Sequence, residues 1–209
     1  MLALSSSVLA APQVQLSVPA QLQLADTVAE RYQILNKTED FVFDFNKIPL
    51  ANRKTFPALV GTGGALAVAE LAGCGMAALH IHPRSAELFA VLSGRVYTEM
   101  ITETGVVDAN GNPRLVRTEL GPKQMTVFPQ GSFHAQMNPD CTPALAIAAF
   151  TSDDPGAALI LPQAFAETDD FVLNAFGGAI GKEELAKFRK LMPKGAIFEV
   201  EECRKRCGL

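Results

Sequence analysis

The chain lacks the features that would send it to a bilayer or to nucleic acid. No apolar run reaches the ~20 residues that a membrane-crossing helix needs, so no membrane span is expected. No basic run goes beyond Arg204-Lys205-Arg206, and the net charge is −4 over 209 residues. Nucleic-acid binding therefore has no electrostatic basis. The four cysteines, Cys74, Cys141, Cys203 and Cys207, contain no Cys-x-x-Cys spacing, which argues against an all-cysteine zinc site. Histidine is scarce as well: His80, His82 and His134 are all the chain has.

Apolar residues make up 48% of the chain, enough for a globular domain with a sizeable core. The start, "LALSSSVLAAP", is small and apolar, and Val8-Leu9-Ala10 fits the small-residue pattern of signal cleavage. No Lys or Arg precedes Arg31, so the basic lead of a signal peptide is missing. Residues 1–11 are read as the remnant of a signal peptide and 12–209 as one domain. Asn36-Lys37-Thr38 is a glycosylation sequon, and the even cysteine count agrees with pairing in a secreted protein.

Residues 12–40 read as an arm with one short helix around Leu24–Ile34. From 41 to 165 the pattern is strands and turns. "FVFDF" (Phe41–Phe45), "ALAVAEL" and "MAALHIH" read as strands, the last two joined by a turn at Gly73-Cys74-Gly75. "ELFAVLSGRVYTEMITE" gives one long strand or two broken near Gly94, and "DANGNP" (Asp108–Pro113) is a hairpin signal. "RLVRTEL", "QMTVFP", "FHAQMN" and "ALAIAAF" follow as strands. Many short strands at ~8–12-residue spacing predict an antiparallel sandwich or barrel. Helices are expected in the tail, about 166–209. One runs from Asp169-Asp170 through Phe176, and an amphipathic one spans Lys182–Met192 with Leu185, Phe188 and Leu191 on one face.

Strand residues at i and i+2 share a face, so His80 and His82 project together. Pro83–Ala86 can turn the chain, and Glu87 then opens the next strand. His134 sits in a second turn-then-strand segment, "PQGSFHAQMN". Three imidazoles and one carboxylate form a plausible ligand set with positions left open for water or substrate. His80, His82, Glu87 and His134 are thus the expected metal ligands. Gln136 and Asn138, on His134's face by the same period, are candidates for substrate contact or for bracing the barrel. Met76, Ala78, Phe89, Val91, Met100 and Phe128 are expected to line a largely apolar pocket. Residue types leave the ion open: imidazole suits Zn, Cu, Fe and Ni, and a carboxylate shifts preference toward Mn.

The spacing His80-x-His82-x4-Glu87-x6-Gly94 resembles the first cupin motif, and Pro129-x-Gly131-x2-His134-x3-Asn138 the second. Within that family, "HPRSAELFAVLSG", "FPQGSFHAQMN", "AAFTSDDPGAALILPQAF" and "VEECRKRCG" are similar to germin-like proteins of the spherulin-like branch of fungi and slime moulds. The resemblance covers about Phe41 to Leu209. It implies an all-β jelly-roll barrel with a C-terminal helical extension. It also implies Mn(II), secretion to the cell exterior or wall, and assembly as a dimer or trimer of dimers. The function implied is redox chemistry of superoxide dismutase type or oxidation of a small organic acid. A non-enzymatic wall or spore role, or action on a specialised metabolite, are the alternatives.

Some positions depart from the family pattern. Cys74 and Lys123 stand where the motifs carry glycine. Germins with oxalate oxidase activity carry pocket asparagines three and thirteen residues before the first motif histidine; here these are Ala77 and Ala67. Alanine cannot hydrogen-bond a carboxylate, which sets superoxide dismutation ahead of oxalate oxidation. Finally, Cys74 precedes His80 by six residues and Cys141 follows His134 by seven. If the two histidine strands are antiparallel neighbours, a Cys74–Cys141 disulfide is expected, with Cys203 and Cys207 bridging locally.

Overall fold

The computed structural model describes residues 15–193 and 195–209; the expected signal segment lies outside them. In chain order the strands are β1 (Leu50–Ala51), β2 (Ala65–Leu71), β3 (Gly75–Ile81), β4 (Glu87–Ser93), β5 (Val96–Ile101), β6 (Leu115–Leu120), β7 (Met125–Phe128), β8 (Phe133–Met137), β9 (Ala144–Phe150), β10 (Ala158–Leu159) and β11 (Ile197–Glu199). The helices are α1 (Val18–Leu24), α2 (Val28–Ile34), α3 (Ile160–Ala164), α4 (Asp169–Ala175), α5 (Lys182–Leu191) and α6 (Glu201–Cys207).

The strands pair antiparallel in two sheets, one ordered β1-β2-β9-β4-β7 and the other β10-β3-β8-β5-β6. This is the expected jelly-roll architecture. β3 and β4, consecutive in the chain, lie in opposite sheets, so the Pro83–Ala86 turn carries the chain across the barrel rather than back along a hairpin. β11 adds to the edge of β3 beside β10.

Period-two alternation explains the core. β9 buries Ala144, Ala146, Ala148 and Phe150, and β4 buries Glu87, Phe89 and Val91. Phe128, Val96, Leu71 and Leu120 complete the apolar interior. Each large side chain withdrawn from water contributes about 1.5–3 kcal/mol. The three inward alanines of β9 contribute less and leave space.

Several expectations need correction. The arm holds two helices, α1 and α2, the second begun by a capping box between Thr27 and Glu30. "FVFDF" is not a strand. A 3₁₀ turn ends at Phe41, and Phe43 packs on Phe45 and Phe56 at ring-centroid distances of 4.9 and 5.4 Å. Phe43 and Phe45 are half-buried by these contacts while Phe41 is exposed, so aromatic packing in a loop imitates strand alternation.

The cysteines pair otherwise than expected: Cys74 with Cys203, and Cys141 with Cys207. β3 and β8 are antiparallel neighbours, and Cys74 and Cys141 do reach the same barrel end. However, α6 docks there with Cys203 and Cys207 one turn apart on one face, offering each barrel cysteine a partner. Both bridges therefore tie the C-terminal helix to the barrel.

Cys74 and Lys123 are the non-glycine residues with positive φ among the described residues, at 65° and 66°. These are the two positions where the motif pattern calls for glycine. Gly94 also adopts positive φ, 76°, and an added Cβ there would lie 2.8 Å from Ala144.

Candidate metal centre

The two sheets face each other across His80, His82, Glu87 and His134. β3 supplies His80 and, just beyond its end, His82; β8 supplies His134, paired with His80 in register. Glu87 comes from β4, where it sits opposite Phe128 of β7 and Phe150 of β9. Glu87 is 3% exposed and His134 1%.

Each imidazole is fixed by its own backbone acceptor. Nδ1–H of His80 donates to the Ala78 carbonyl at 2.7 Å, that of His82 to Gly156 at 2.6 Å, and that of His134 to Ser132 at 2.8 Å. Carbonyl oxygens only accept, so the proton resides on Nδ1 and the Nε2 lone pairs are left to the site. His82 Nε2 lies 2.9 Å from Glu87 Oε2, His134 Nε2 3.0 Å and His80 Nε2 4.0 Å. One donor atom from each of the four residues falls within 4.8 Å of the others. Phe128 stacks on His134, rings 4.2 Å apart and 10° from parallel, and Phe150 meets His82 edge-on at 4.7 Å.

The electrostatics suit a ligand set. Burial, aided by repulsion from His134, pushes the His80 pKa down to about 4, so this imidazole is neutral near pH 7. Burial works against the charge on Glu87 as well. Hydrogen bonds to His134 and His82 outweigh it and hold the carboxyl at about 2. Burial also lowers His82, but its contacts with Glu87 and the Gly156 carbonyl prevail and raise it. Nε2 lone pairs facing a carboxylate need a cation between them, a proton or a metal ion. The four residues fit a metal ion, and His80, His82, Glu87 and His134 can bind one.

The structure separates the two pocket candidates. Gln136 lines the cavity beside the site, its Nε2 donating to Glu87 Oε1 at 3.3 Å. Asn138 does not line it. Its amide donates to the carbonyls of Leu71, Ala72 and Thr142, and its Oδ1 accepts from the Asp140 N–H. Asn138 therefore braces the barrel end.

The cavity measures about 290 Å³. Of the six apolar residues expected around it, Phe89 lines it; Met76, Ala78, Val91, Met100 and Phe128 do not. On β3 the cause is a bulge. Ala77 pairs with Gln136 and His80 with His134, so three steps along β3 match two along β8. Ala77, rather than Ala78, thereby shares the inner face with His80. Val91 and Phe128 lie in the packed core, with Met100 against it.

Sequence reasoning missed the wall built by Leu159, Ala196 and Ile197. The run Ile197–Glu199 is too short to announce a strand, and it pairs with β3 just before the helix that the disulfides tie to the barrel. The inward alanines of "ALAVAEL" and "ALAIAAF" were the available signal for a hollow interior.

Comparison with known proteins agrees with this geometry. The family described as Cupin matches residues 32–181. Spherulin-1A from Physarum polycephalum is 29% identical over 201 residues, 90% of this chain and 78% of that protein. Germin-like protein 8-2 from Oryza sativa subsp. japonica is 35% identical over 136 residues, 63% of this chain and 59% of that protein. Among solved structures, an oxalate oxidase in complex with the substrate analogue glycolate superposes with a TM-score of 0.60. It shares 20% identity and covers 68% of this chain and 69% of that one, a likeness of fold.

Proposed function

The chain belongs to the cupin family, and from that premise we propose that it is a secreted, metal-dependent oxidoreductase whose His80, His82, Glu87 and His134 hold one manganese(II) ion. One observation carries the reading: three Nδ1–H groups are spent on backbone carbonyls, so three Nε2 lone pairs face Glu87 Oε2, those of His82 and His134 at 2.9 and 3.0 Å and that of His80 at 4.0 Å. The carboxylate favours a harder ion over one bound by imidazole alone, and the similarity to germin-like proteins supports manganese. When bound, such an ion supplies one-electron exchange with superoxide or dioxygen, which zinc would not.

The chain's own residues set the conditions. Phe128 and Phe150 cover His134 and His82 and keep bulk water from them. Gln136 holds the second oxygen of Glu87, leaving Oε2 to the histidines. Ala67 and Ala77 line the cavity and offer no donor to an acid, which favours superoxide-type chemistry over oxalate oxidation. Superoxide dismutation by the purified protein, lost in His82→Ala with the fold intact by circular dichroism, tests the reading. Equal activity in the metal-depleted variant overturns it.

A structural role for the ion is the second reading. The ligands join β3 and β8 of one sheet to β4 of the other, so a bound ion would clamp the barrel. A wall or spore protein would need no more. Metal removal that lowers the melting temperature, with no turnover of superoxide or a small acid, favours this reading.

Secretion is supported by the pairing of all four cysteines, which requires an oxidising compartment. A dimer or trimer of dimers is supported by apolar surface. Leu88, Leu92, Met125 and Val127 are exposed on neighbouring strands, as are Phe188 and Leu191 on α5. Light scattering of the purified protein checks the assembly, and a monomer contradicts it.

A further inference from the structure

The cavity beside the ligand set is larger than superoxide or dioxygen needs. Its ~290 Å³ exceeds the roughly 150 Å³ of an apolar cavity that admits a benzene ring. Ala67, Ala77 and Ala148 come from three different strands, and each leaves room that a longer side chain would fill. Phe89, Phe150 and Ile197 add apolar surface. Among the described residues no Lys or Arg lines the space, and its polar members are His80, His82, Glu87 and Gln136.

Gln136 has one polar atom unused. Its Nε2 serves Glu87, while its Oε1 is buried and has no hydrogen-bond partner among the described residues. A buried acceptor of this kind calls for a donor. It would repel a carboxylate, and a charged group held against Ala67 and Ala77 would be desolvated with no Lys or Arg among the described lining residues to pair it.

We infer that this cavity binds an uncharged organic co-substrate with an apolar, ring-sized body and a hydroxyl group. The body packs on Ala67, Ala77 and Ile197, and the hydroxyl takes Gln136 Oε1 as its acceptor once the amide, sealed from the cavity at that oxygen, turns toward it. This names the organic substrate class of the proposed oxidoreductase site and rests on that reading for the reaction, not for the binding.

Calorimetric titration with phenol, toluene and oxalate tests it, on the protein as purified and after metal stripping. Phenol binds both forms, at least about tenfold tighter than oxalate binds the purified form. Gln136→Leu weakens phenol by about tenfold or more and leaves toluene unchanged, because a site built around a hydroxyl discriminates by that bond. Ala77→Leu and Ala67→Leu each abolish phenol binding with metal content and melting temperature retained. Oxalate binding as tight as phenol, or phenol affinity unchanged in both leucine variants, overturns the inference. If the purified protein holds no metal, the oxidoreductase reading fails. The metal-stripped titration then decides the cavity by itself: phenol binding sustains the inference, and its absence overturns it.

Discussion

His82 Nε2 and Glu87 Oε2 stand 2.9 Å apart, while His82 Nδ1 is committed to the Gly156 carbonyl and Glu87 Oε1 to the Gln136 amide. Without a metal ion the gap is bridged by a proton. Burial opposes that charge, but the Glu87 bond and the Gly156 carbonyl outweigh it and raise the His82 pKa above 6.5. A metal ion must expel this proton. At pH 6.5, binding of Mn(II) should release about half a proton or more per site, and affinity should fall as pH is lowered. Calorimetry in buffers of different ionisation enthalpy reads the proton count; no release contradicts the arrangement.

The same groups set the acid sensitivity of the metal-stripped protein. His80 is depressed to about 4, so between pH 6.5 and 4 the unfolded chain binds more protons and stability falls as pH falls. Glu87, held at about 2, extends the loss from about pH 4.5 down through 2. His82 has the opposite sign: its raised pKa favours folding below 6.5, a contribution lost as pH rises through the folded value. Urea midpoints should therefore drop between pH 6 and pH 3. A flat profile there would show that burial of His80 and the bonds of Glu87 carry no weight.

The disulfides pin α6 to the barrel and, just before it, β11 to β3. Cys74 Sγ and Cys207 Sγ are 3.6 Å apart, so a single substitution leaves a thiol beside an intact bridge, free to exchange with it. Paired substitutions avoid this. Cys141→Ser with Cys207→Ser should cost about 2–5 kcal/mol, measured by urea denaturation. Peptide mapping of the oxidised native chain should recover Cys74–Cys203 and Cys141–Cys207; a Cys74–Cys141 peptide contradicts the docking of α6.

Lys123 carries a side chain at φ 66°, where a Cβ costs about 1–2 kcal/mol. Lys123→Gly removes that strain and loosens the unfolded chain by somewhat less. A net gain of up to about 1 kcal/mol is expected in the denaturation midpoint. A loss would mean that the Lys123 side chain contributes more than its backbone costs. Gly94→Ala is the converse test, placing a Cβ against Ala144 at positive φ, and should destabilise by about 1–3 kcal/mol.

The clustering of the four candidate ligands was legible because it rests on local rules. The i, i+2 pair His80 and His82, the turn before Glu87 and the second motif at His134 are each fixed within a few residues. The alternation that exposes strands in "ALAVAEL" and "ALAIAAF" is equally local. The errors came from contacts that join distant parts. A bulge between Ala77 and His80 depends on β8, so a strict period of two placed Met76 and Ala78 in the pocket. Four cysteines allow three pairings, and the choice depends on where α6 docks. The cavity wall at Ala196 and Ile197 depends on that docking too. "FVFDF" failed because Phe43 and Phe45 pack in a loop, with Phe56 for Phe43, and alternation alone does not separate such a loop from a strand.

His80, His82, Glu87 and His134 are proposed to hold one metal ion. Elemental analysis of the protein purified without added metal tests this most directly, with His82→Ala prepared in parallel. About one manganese per chain in the native protein, and about a tenfold or greater loss in a folded variant, is the result expected. A native protein without stoichiometric metal, or a variant that keeps it, would contradict the account.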